Sequence, residues 1–336
     1  MKNESTHSSS DDRRPVIEVR QLTKRFGEVT AVDGITFDVF QGELFGFLGP
    51  NGAGKTTTIN VVTGLARPDS GNFRISGLEC TQNPRVAQHL MGVVPDESNL
   101  YPELTGFENL CFCAALYGMP KRERRIRAAE LLKTVGLSDA AQRKFGGYSK
   151  GMKRKLTIAA GIIHSPQILF LDEPTTGIDV ASARQIRQLI AGLHEGGTTI
   201  FLTTHYIEEA ERLCERIAFV VKGKVVQMDT VANLLQPVQQ KKAMLFSVSN
   251  MFGDLCGKLA AAFPGLECST VSSRQLRIES AHSISIGPVV RFMEDQGIEV
   301  TEARRLTPSL EEVFVRITDI ELDAMRKEKE KSGGSQ

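Results

Sequence analysis

Short apolar runs along the first two thirds of the chain predict a set of buried strands. The runs at 44–48, 168–171 and 198–204 are rich in apolar and β-branched residues, as is typical of strands covered on both faces in a parallel sheet. Residues 16–22 and 31–40 alternate apolar and polar positions and predict two further strands. Strands followed by helical segments indicate an α/β fold.

Helical patterns fill much of the space between these strands. A helix is expected over 56–65, and 105–164 has a helical pattern throughout, with breaks at 118–120 and 146–147 where Gly and Pro occur. The basic run 121–127 lies inside this segment. These basic residues could form a solvent-exposed face of a helix. Alternatively, they could bind anionic lipid headgroups or a partner.

The last hundred residues carry a separate pattern of short strands and helices. Residues 236–242 are predicted to be a linker. Strand, helix, strand, helix and strand are then expected at 243–248, 255–263, 276–278, 286–293 and 298–300. Thr307 is expected to cap a final helix with Pro308 at its first position. The apolar face of that helix would consist of Leu310, Val313, Phe314 and Ile317.

Length and pattern together predict two domains between polar ends. The 336 residues suit a large domain at 15–235 and a small α+β domain at 243–320. Residues 1–14 are predicted to be a disordered tail, and 321–336 a flexible one.

Composition narrows the classes of partner. A formal net charge of +1 gives no basic excess for nucleic acid. The sequence contains no apolar run near the roughly 18 residues that a membrane span needs. The six cysteines lie at 80, 111, 113, 214, 256 and 268. Only Cys111 and Cys113 are close together, and a lone C-x-C without a second pair is a poor metal site. All six are expected to be reduced thiols, as is usual in a cytosolic protein.

A glycine-rich stretch directly after the run 44–48 is the strongest chemical signal. It fits G-x-x-x-x-G-K-[ST] and consists of Gly49, Pro50, Asn51, Gly52, Ala53, Gly54, Lys55, Thr56 and Thr57. Glycines let a backbone curl its N–H groups around phosphate, and the following helix directs its positive end at the same anion. Lys55 would reach the β- and γ-phosphates and Thr56 would ligate Mg²⁺.

Two later strands end in polar residues that suit phosphoryl transfer. Asp172 and Glu173 follow the run 168–171, and ligands of α/β sheets bind at the carboxyl ends of strands. Asp172 suits the Mg²⁺ shell and Glu173 a base that polarises water. His205 follows the strand at 198–204 and could hydrogen-bond a γ-phosphate.

Two weaker elements complete the candidate site. Ser149 and Gly151 open a helix and make a second anion site. Phe26 precedes the glycine-rich loop by 23 positions. It could stack on an adenine ring, or it could be a core residue at a strand end; the sequence leaves both open.

Together these residues resemble the ATP-binding cassette (ABC) family over about 16–235. Residues 49–57 match its Walker A loop, 169–174 its Walker B strand, 177–179 its D-loop and 148–152 its signature loop. The resemblance implies a P-loop NTPase cassette with a parallel core sheet, an antiparallel β subdomain and a helical signature subdomain. It also gives Phe26 the adenine-stacking position, Glu173 the catalytic role and His205 the switch role.

The resemblance further implies that two nucleotide-binding domains close head to tail. Ser149 and Gly151 would then act on the γ-phosphate bound by the other domain, in a homodimer or in a heterodimer with a related cassette. Tyr148-Ser149-Lys150-Gly151-Met152 is similar to the branch that drives drug, polysaccharide and lipid export. The 243–320 region resembles the C-terminal extension of that branch.

One departure from the family pattern concerns the metal. Asp96 stands where many members have the Q-loop glutamine. A carboxylate can still ligate Mg²⁺, but it accepts hydrogen bonds only and adds charge. Asp96 is therefore a third candidate metal ligand, beside Thr56 and Asp172.

The sequence thus predicts an ATP- and Mg²⁺-dependent ATPase subunit of an exporter. It would work as a peripheral protein on the cytoplasmic side of the cell membrane, with a separate integral-membrane permease and without nucleic acid. The alternatives are a soluble ABC ATPase that acts on nucleic acid or ribosomes, and a weakly active regulatory cassette.

Overall fold

The computed structural model describes residues 13–239, 241–250 and 253–318. Contacts divide the chain into one compact unit that runs to Thr230 and a second that spans Val231–Arg316. The flexible end predicted at 321–336 and the first twelve residues of the predicted tail lie outside the described residues.

The last two residues of that predicted tail are held by the first unit. The Nη1 atom of Arg13 donates a hydrogen bond to Oε2 of Glu215 at 2.9 Å. The backbone N–H of Gln41 donates to the carbonyl oxygen of Arg14 at 2.9 Å. The prediction of disorder is therefore wrong for Arg13 and Arg14, because these contacts anchor them to the unit.

Strands and helices of the first unit follow the predicted alternation. In chain order the strands are β1 (Pro15–Phe26), β2 (Val29–Phe40), β3 (Leu44–Leu48), β4 (Ser70–Ile75), β5 (Leu78–Glu79), β6 (Met91–Val94), β7 (Ile168–Asp172), β8 (Thr199–Thr204), β9 (Arg216–Val221) and β10 (Lys224–Thr230). The helices are α1 (Lys55–Val62), α2 (Gly106–Leu116), α3 (Lys121–Thr134), α4 (Lys150–Gly161), α5 (Val180–Glu195) and α6 (Ile207–Leu213).

The central sheet has the strand order β10-β9-β3-β8-β7-β6. Its strands pair in parallel except β9 with β10. Every residue of β3, β7 and β8 is buried, which explains why their sequences lack alternation. The carboxyl ends of β3, β8 and β7 therefore lie side by side at one edge of the sheet.

A second, antiparallel sheet with the order β2-β1-β4-β5 packs on the first. The contact includes a cluster of phenylalanines: the rings of Phe37 and Phe45 stack with centroids 5.8 Å apart, and Phe201 meets both at 5.7–5.8 Å. These rings belong to the buried core of the unit. The predicted cassette, with a parallel core sheet and an antiparallel subdomain, is confirmed.

The segment predicted to be helical contains α2, α3 and α4. Residues 117–120 separate α2 from α3, and two short 3₁₀ turns, Ser138–Ala140 and Phe145–Gly147, lie between α3 and α4. Thr105 caps α2 in a capping box with Glu108, which fixes where that helix begins. In the basic run Lys121, Arg122 and Arg125 are exposed, as expected of a solvated helix face.

The second unit is an antiparallel sheet with helices. Its elements are α7 (Val231–Gln239), β11 (Lys242–Val248), α8 (Leu255–Ala262), β12 (Glu267–Ser272), β13 (Gln275–Ser280), α9 (Ile286–Asp295), β14 (Val300–Leu306) and α10, which begins in this unit (Leu310–Thr318). The strand order is β12-β13-β11-β14. The α+β class predicted for this region is confirmed, although β12 was not predicted.

The predicted linker is wrong in most of its length. Residues 236–239 belong to α7, with Pro237 inside the helix, and β11 begins at Lys242. Leu234 and Val238 are buried one turn apart on α7. This packing outweighs the helix-breaking tendency of proline.

Two details of α10 also differ from the prediction. The helix begins at Leu310, and the Ser309 hydroxyl accepts a hydrogen bond from the Glu312 N–H at 3.4 Å, so Ser309 caps it instead of Thr307. Leu310, Val313 and Phe314 are buried as expected, whereas Ile317 is 38% exposed.

The expectation of six reduced thiols is wrong for one pair. Cys256 on α8 and Cys268 on β12 form a disulfide. The fold brings their Cα atoms to 5.1 Å, within disulfide reach, although 12 positions separate them in sequence. Cys80, Cys111, Cys113 and Cys214 are free.

Candidate nucleotide-binding site

The glycine-rich loop joins β3 to α1 and is packed too tightly for side chains at two positions. A Cβ atom on Gly49 would lie 2.1 Å from the carbonyl oxygen of Val220, and one on Gly54 would lie 2.2 Å from that of Ala31. Gly54 also has a φ of +99°, a conformation that favours glycine. The loop therefore needs glycine at both positions to reach α1.

The first turn of α1 presents backbone donors to this loop. The N–H of Thr58 donates to the carbonyl oxygen of Gly54 at 2.9 Å. The N–H groups of Lys55, Thr56 and Thr57 come earlier in the helix, where a helix has no internal acceptors. Together with the helix dipole, these groups form a site for phosphate.

Lys55 is buried across the loop and reaches the next carboxylate. Its Nζ atom donates to the carbonyl oxygens of Gly49 at 2.8 Å and Pro50 at 3.1 Å. The same atom lies 3.2 Å from Oε1 of Glu173. An ammonium held by neutral carbonyls and one carboxylate is ready to bind an anion.

Asp172 and Glu173 end β7 in different conformations. Asp172 is buried and accepts a hydrogen bond from the Thr203 hydroxyl at 2.5 Å. Glu173 has a φ of +49°, which costs a non-glycine residue on the order of 1–3 kcal/mol. Its N–H donates to the carbonyl oxygen of Thr203 at 3.1 Å. Thr203 of the adjacent strand thus fixes both carboxylate residues.

The Glu173 carboxylate is almost wholly buried among polar partners. Its Oε2 atom accepts hydrogen bonds from Nδ1 of His205 at 2.7 Å and from the Thr176 hydroxyl at 2.8 Å. Burial raises the pKa of Glu173, but the hydrogen bond with His205 and the charge of Lys55 outweigh it and lower this pKa from 4.5 to about 2. The carboxylate is therefore ionised at neutral pH, the form that a general base requires.

His205 follows β8 and lies beside Glu173 because β8 is the neighbour of β7. Its side chain is buried, and its ring centroid lies 4.0 Å from that of Tyr206. Since Glu173 is ionised, Nδ1 of His205 carries the shared proton. The Nε2 atom remains for another partner.

A buried glutamate that the sequence did not single out organises the same loops. Oε2 of Glu209, on α6, accepts hydrogen bonds from the hydroxyls of Thr175 at 2.8 Å and Thr204 at 3.3 Å. Thr175 follows the Walker B carboxylates and Thr204 precedes the histidine. Burial raises the pKa of Glu209, against the hydrogen bond from Thr175. Its sequence gives no signal, because Glu208 and Glu211 beside it are similar.

Arg154 is a second buried group that was not predicted to belong to the site. It lies on α4 with 7% of its surface exposed and donates hydrogen bonds to Pro95, Asp96 and Glu173. One signal exists in the sequence: Arg154 lies three positions after Gly151 and four before Ile158, on the buried face of the helix.

The structure places Phe26 and the D-loop at the surface. Phe26 ends β1 and is 55% exposed, so it is not a core residue. The Nζ atom of Lys24 lies 5.2 Å from the ring centroid of Phe26.

In the D-loop, Gly177 has a φ of +70°. The Asp179 carboxylate caps α5 by accepting a hydrogen bond from the Ser182 N–H at 2.9 Å.

The signature loop begins α4 and lies against the start of α5. Ser149 caps α4 by accepting a hydrogen bond from the Met152 N–H at 3.3 Å. A Cβ on Gly151 would lie 2.4 Å from the Ser182 hydroxyl. The far end of α4 packs on β6, where Gly161 contacts Val94. The contacts of the signature loop described here are therefore to its own helix and to α5.

The residues present suit a magnesium ion that is bound together with phosphate. The part of the chain that the structure describes holds no group of three or more His, Cys, Asp or Glu placed to bind a metal. Mg²⁺ typically takes one or two carboxylates and completes its shell with phosphate and water. The Thr56 hydroxyl and the Asp172 carboxylate would supply the protein ligands. The third candidate, Asp96, has its Oδ1 atom 3.3 Å from Nη2 of Arg154.

The described helices include no candidate for a membrane span. None of them combines the length and the apolar character that a membrane span requires.

Comparisons with known proteins agree with this geometry. The family profile described as "ABC transporter" matches residues 32–176. The chain is 34% identical over 306 residues to the linearmycin resistance ATP-binding protein LnrL of Bacillus subtilis. This match covers 90% of this chain and 98% of LnrL. It is 42% identical over 210 residues to the Nod factor export ATP-binding protein I of Paraburkholderia xenovorans, covering 62% of this chain and 69% of that one.

A solved structure shares the fold of the first unit. The post-hydrolysis dimer of the ATP-binding cassette MJ0796, bound to ADP and Pi, is 29% identical with a TM-score of 0.59. It covers 64% of this chain and 98% of the cassette.

Proposed function

The chain belongs to the ABC family of transporter ATPases, and from that premise we propose that it powers export through a separate integral-membrane permease. Residues 15–235 would bind and hydrolyse ATP, and 243–320 would be an accessory domain. LnrL is named for drug resistance and the Paraburkholderia relative for Nod factor export. Both names favour export over import.

The observation that carries this proposal is the meeting of Lys55, Glu173 and His205. They follow three adjacent strands, and the Glu173 carboxylate contacts both Lys55, at 3.2 Å, and His205, at 2.7 Å. Lys55 would bind the β- and γ-phosphates, and Glu173 would take a proton from the attacking water. With Nδ1 of His205 bonded to Glu173, its Nε2 atom would meet the γ-phosphate.

Binding of ATP and metal would use groups that surround these three. The N–H groups at the start of α1 would hold the phosphates, and Phe26 would stack on the adenine. Thr56 and Asp172 would hold Mg²⁺, which would neutralise charge on the phosphate oxygens. Asp96 stays a predicted third ligand.

The complete site would need two cassettes. Ser149 and Gly151 would act on the γ-phosphate of a partner cassette, whether a second copy or a relative, as the family resemblance implies and as the dimeric form of the related cassette MJ0796 supports. The dimer would close on ATP, open after hydrolysis and transmit this motion to the permease. The subunit would lie at the cytoplasmic face of the membrane.

Steady-state phosphate release from Mg-ATP tests the enzymatic part. Glu173→Gln removes the base and should lower turnover on the order of 100-fold or more, while ATP binding persists and a closed dimer accumulates in light scattering. Glu208→Gln makes the same chemical change at an exposed residue of α6 and should leave turnover close to that of the wild type. Multiple turnover in Glu173→Gln would remove the base role.

A pull-down from detergent-solubilised membranes, with the full chain as bait and ATP present, tests the transport part. Recovery of a protein with several apolar spans of about 20 residues each is the expected result. Recovery of ribosomal or nucleic-acid partners alone would overturn the export assignment and leave the ATPase intact.

A further inference from the structure

Arg154 joins the helix of the signature loop to both loops that follow β6 and β7. Its Nη1 atom donates to the carbonyl oxygen of Pro95 at 2.5 Å. Its Nη2 atom donates to the carbonyl oxygens of Asp96 at 2.5 Å and Glu173 at 3.3 Å. One guanidinium therefore contacts three backbone carbonyls from two loops far apart in sequence.

Only an arginine side chain suits this arrangement. A guanidinium carries five N–H donors in one plane, whereas a lysine ammonium donates from a single atom. The neighbouring bases do not share the role: Lys155 donates to Gln185 at 2.6 Å, and Lys153 lies 5.6 Å from the ring centroid of Phe145.

Among the described residues, Asp96 supplies the carboxylate that forms an ion pair with Arg154. Burial lowers the pKa of its guanidinium, and the carboxylates of Asp96, Asp172 and Glu173 act against that shift, Asp96 most strongly. The Oδ1 atom of Asp96 lies 3.3 Å from Nη2. A buried cation needs such a counter-ion, since carbonyl groups satisfy its donors without neutralising its charge.

Arg154 contacts the backbone of Glu173. The carboxylate of the same residue lies at the centre of the candidate site. Glu173 has a left-handed φ of +49°, which its surroundings must maintain. Its N–H is held by Thr203 at 3.1 Å, and its carbonyl oxygen accepts from the Thr176 N–H at 3.2 Å and from Arg154. Arg154 thus adds a side-chain brace from α4 to this peptide.

We propose that Arg154 is a positioning residue that couples the signature helix to the catalytic carboxylate, with Asp96 as its counter-ion. This role rests on the proposed ATPase function. A movement of α4, which carries Ser149 and Gly151, would then change the orientation of Glu173. The aspartate at the Q-loop position would thus neutralise Arg154, a role separate from that of the predicted third metal ligand.

Kinetics of full-length variants test the brace. Arg154→Lys keeps the charge and loses the planar donors, and it should lower kcat on the order of 10- to 100-fold, as misplacement of a catalytic group does. The Kd for ATP should stay near that of the wild type, because Lys55 and the phosphate loop are untouched. Lys155→Met on the same helix is the control and should leave kcat unchanged. Wild-type kcat in Arg154→Lys would overturn the proposal.

The counter-ion role is tested by a double-mutant cycle. Asp96→Asn should lower kcat in the wild type and have little further effect in Arg154→Met, because the two side chains act as a pair. Independent effects would exclude the pairing. If Asp96 were a metal ligand instead, Asp96→Asn would raise the Mg²⁺ concentration needed for half-maximal rate in both backgrounds.

Hydrogen–deuterium exchange separates failure of the brace from failure of the proposed function. In Arg154→Lys and Arg154→Met, the amides of Glu173, Thr175 and Thr176 should exchange faster than in the wild type, while those of α5 do not. This readout needs no turnover. An inactive wild type would refute the ATPase assignment, whereas unchanged exchange at 173–176 would refute the brace; a uniform rise across the first unit would show a merely structural role.

Discussion

Lys55 and Glu173 form a buried ion pair, with 3.2 Å between Nζ and Oε1. The Oε1 atom is buried and accepts no hydrogen bond, so Lys55 is its closest described partner. Lys55, which would bind phosphate, therefore also neutralises the Glu173 carboxylate, which would take a proton from the attacking water. A γ-phosphate must compete with this carboxylate for the same ammonium.

This competition predicts that Glu173→Gln binds ATP more tightly than the wild type. Removal of the rival anion should lower the Kd for ATP roughly three- to tenfold, which corresponds to about 1 kcal/mol. Calorimetric titration with ATP in the presence of EDTA measures this before any hydrolysis. Glu208→Gln should bind like the wild type, and weaker binding by Glu173→Gln would contradict the competition.

Gly54 supports a second prediction about the phosphate loop. Gly54→Ala places a Cβ near the carbonyl oxygen of Ala31 at a φ of +99°, and the strain should cost about 2 kcal/mol or more. ATP binding should be lost, because the N–H groups of α1 move away from the phosphates.

Gly192→Ala is the matched control for that change. A Cβ on Gly192, within α5, meets no atom within 4 Å, so both melting temperature and ATP affinity should stay near those of the wild type. Thermal melting and ATP titration of the two variants check the prediction. Retained ATP affinity in Gly54→Ala would show that the loop tolerates a different backbone.

The low pKa of Glu173 predicts a pH dependence of stability. Because folding lowers this pKa from 4.5 to about 2, the ionised carboxylate stabilises the folded state above pH 4.5, and this stabilisation is lost as the pH falls toward 2. The difference in unfolding free energy between the wild type and Glu173→Gln should therefore shrink by about 2 kcal/mol from pH 6 to pH 3.

Urea unfolding followed by circular dichroism at several pH values measures that difference. Glu208→Gln, at an exposed carboxylate, provides the control for the substitution itself. A difference that stays constant between pH 6 and pH 3 would show that Glu173 has an ordinary pKa in the folded protein.

The disulfide between Cys256 and Cys268 predicts a redox-dependent stability of the second unit. Opening a loop of this length should destabilise the unit by roughly 3 kcal/mol in the chain-entropy account. Thermal melts of Cys256→Ser, with and without reductant, should coincide with that of the reduced wild type. Alkylation of denatured, non-reduced protein should label four thiols, those of the free cysteines, and six labelled thiols would contradict the bond.

Much of the fold is predictable from residues that are neighbours in sequence. The uniform apolar runs of β3, β7 and β8 indicated strands buried on both faces, and the stretch from Gly49 to Thr57 indicated the phosphate loop. These signals are local, because burial periodicity and glycine-dependent backbone angles are properties of a short segment. The positions of Asp172, Glu173 and His205 after their strands were predictable for the same reason.

Contacts between distant residues were decided by packing. Pro237 lies in a helix because Leu234 and Val238 are buried, and Cys256 meets Cys268 because α8 packs beside β12. Arg154 resembles its basic neighbours in sequence, yet the fold buries it between the loops that follow β6 and β7. The amino-acid sequence thus determined the phosphate-binding chemistry and the order of strands and helices. The tertiary structure decided which groups surround Glu173, since Arg154 and His205 are 19 and 32 positions away from it in sequence and Lys55 is farther still.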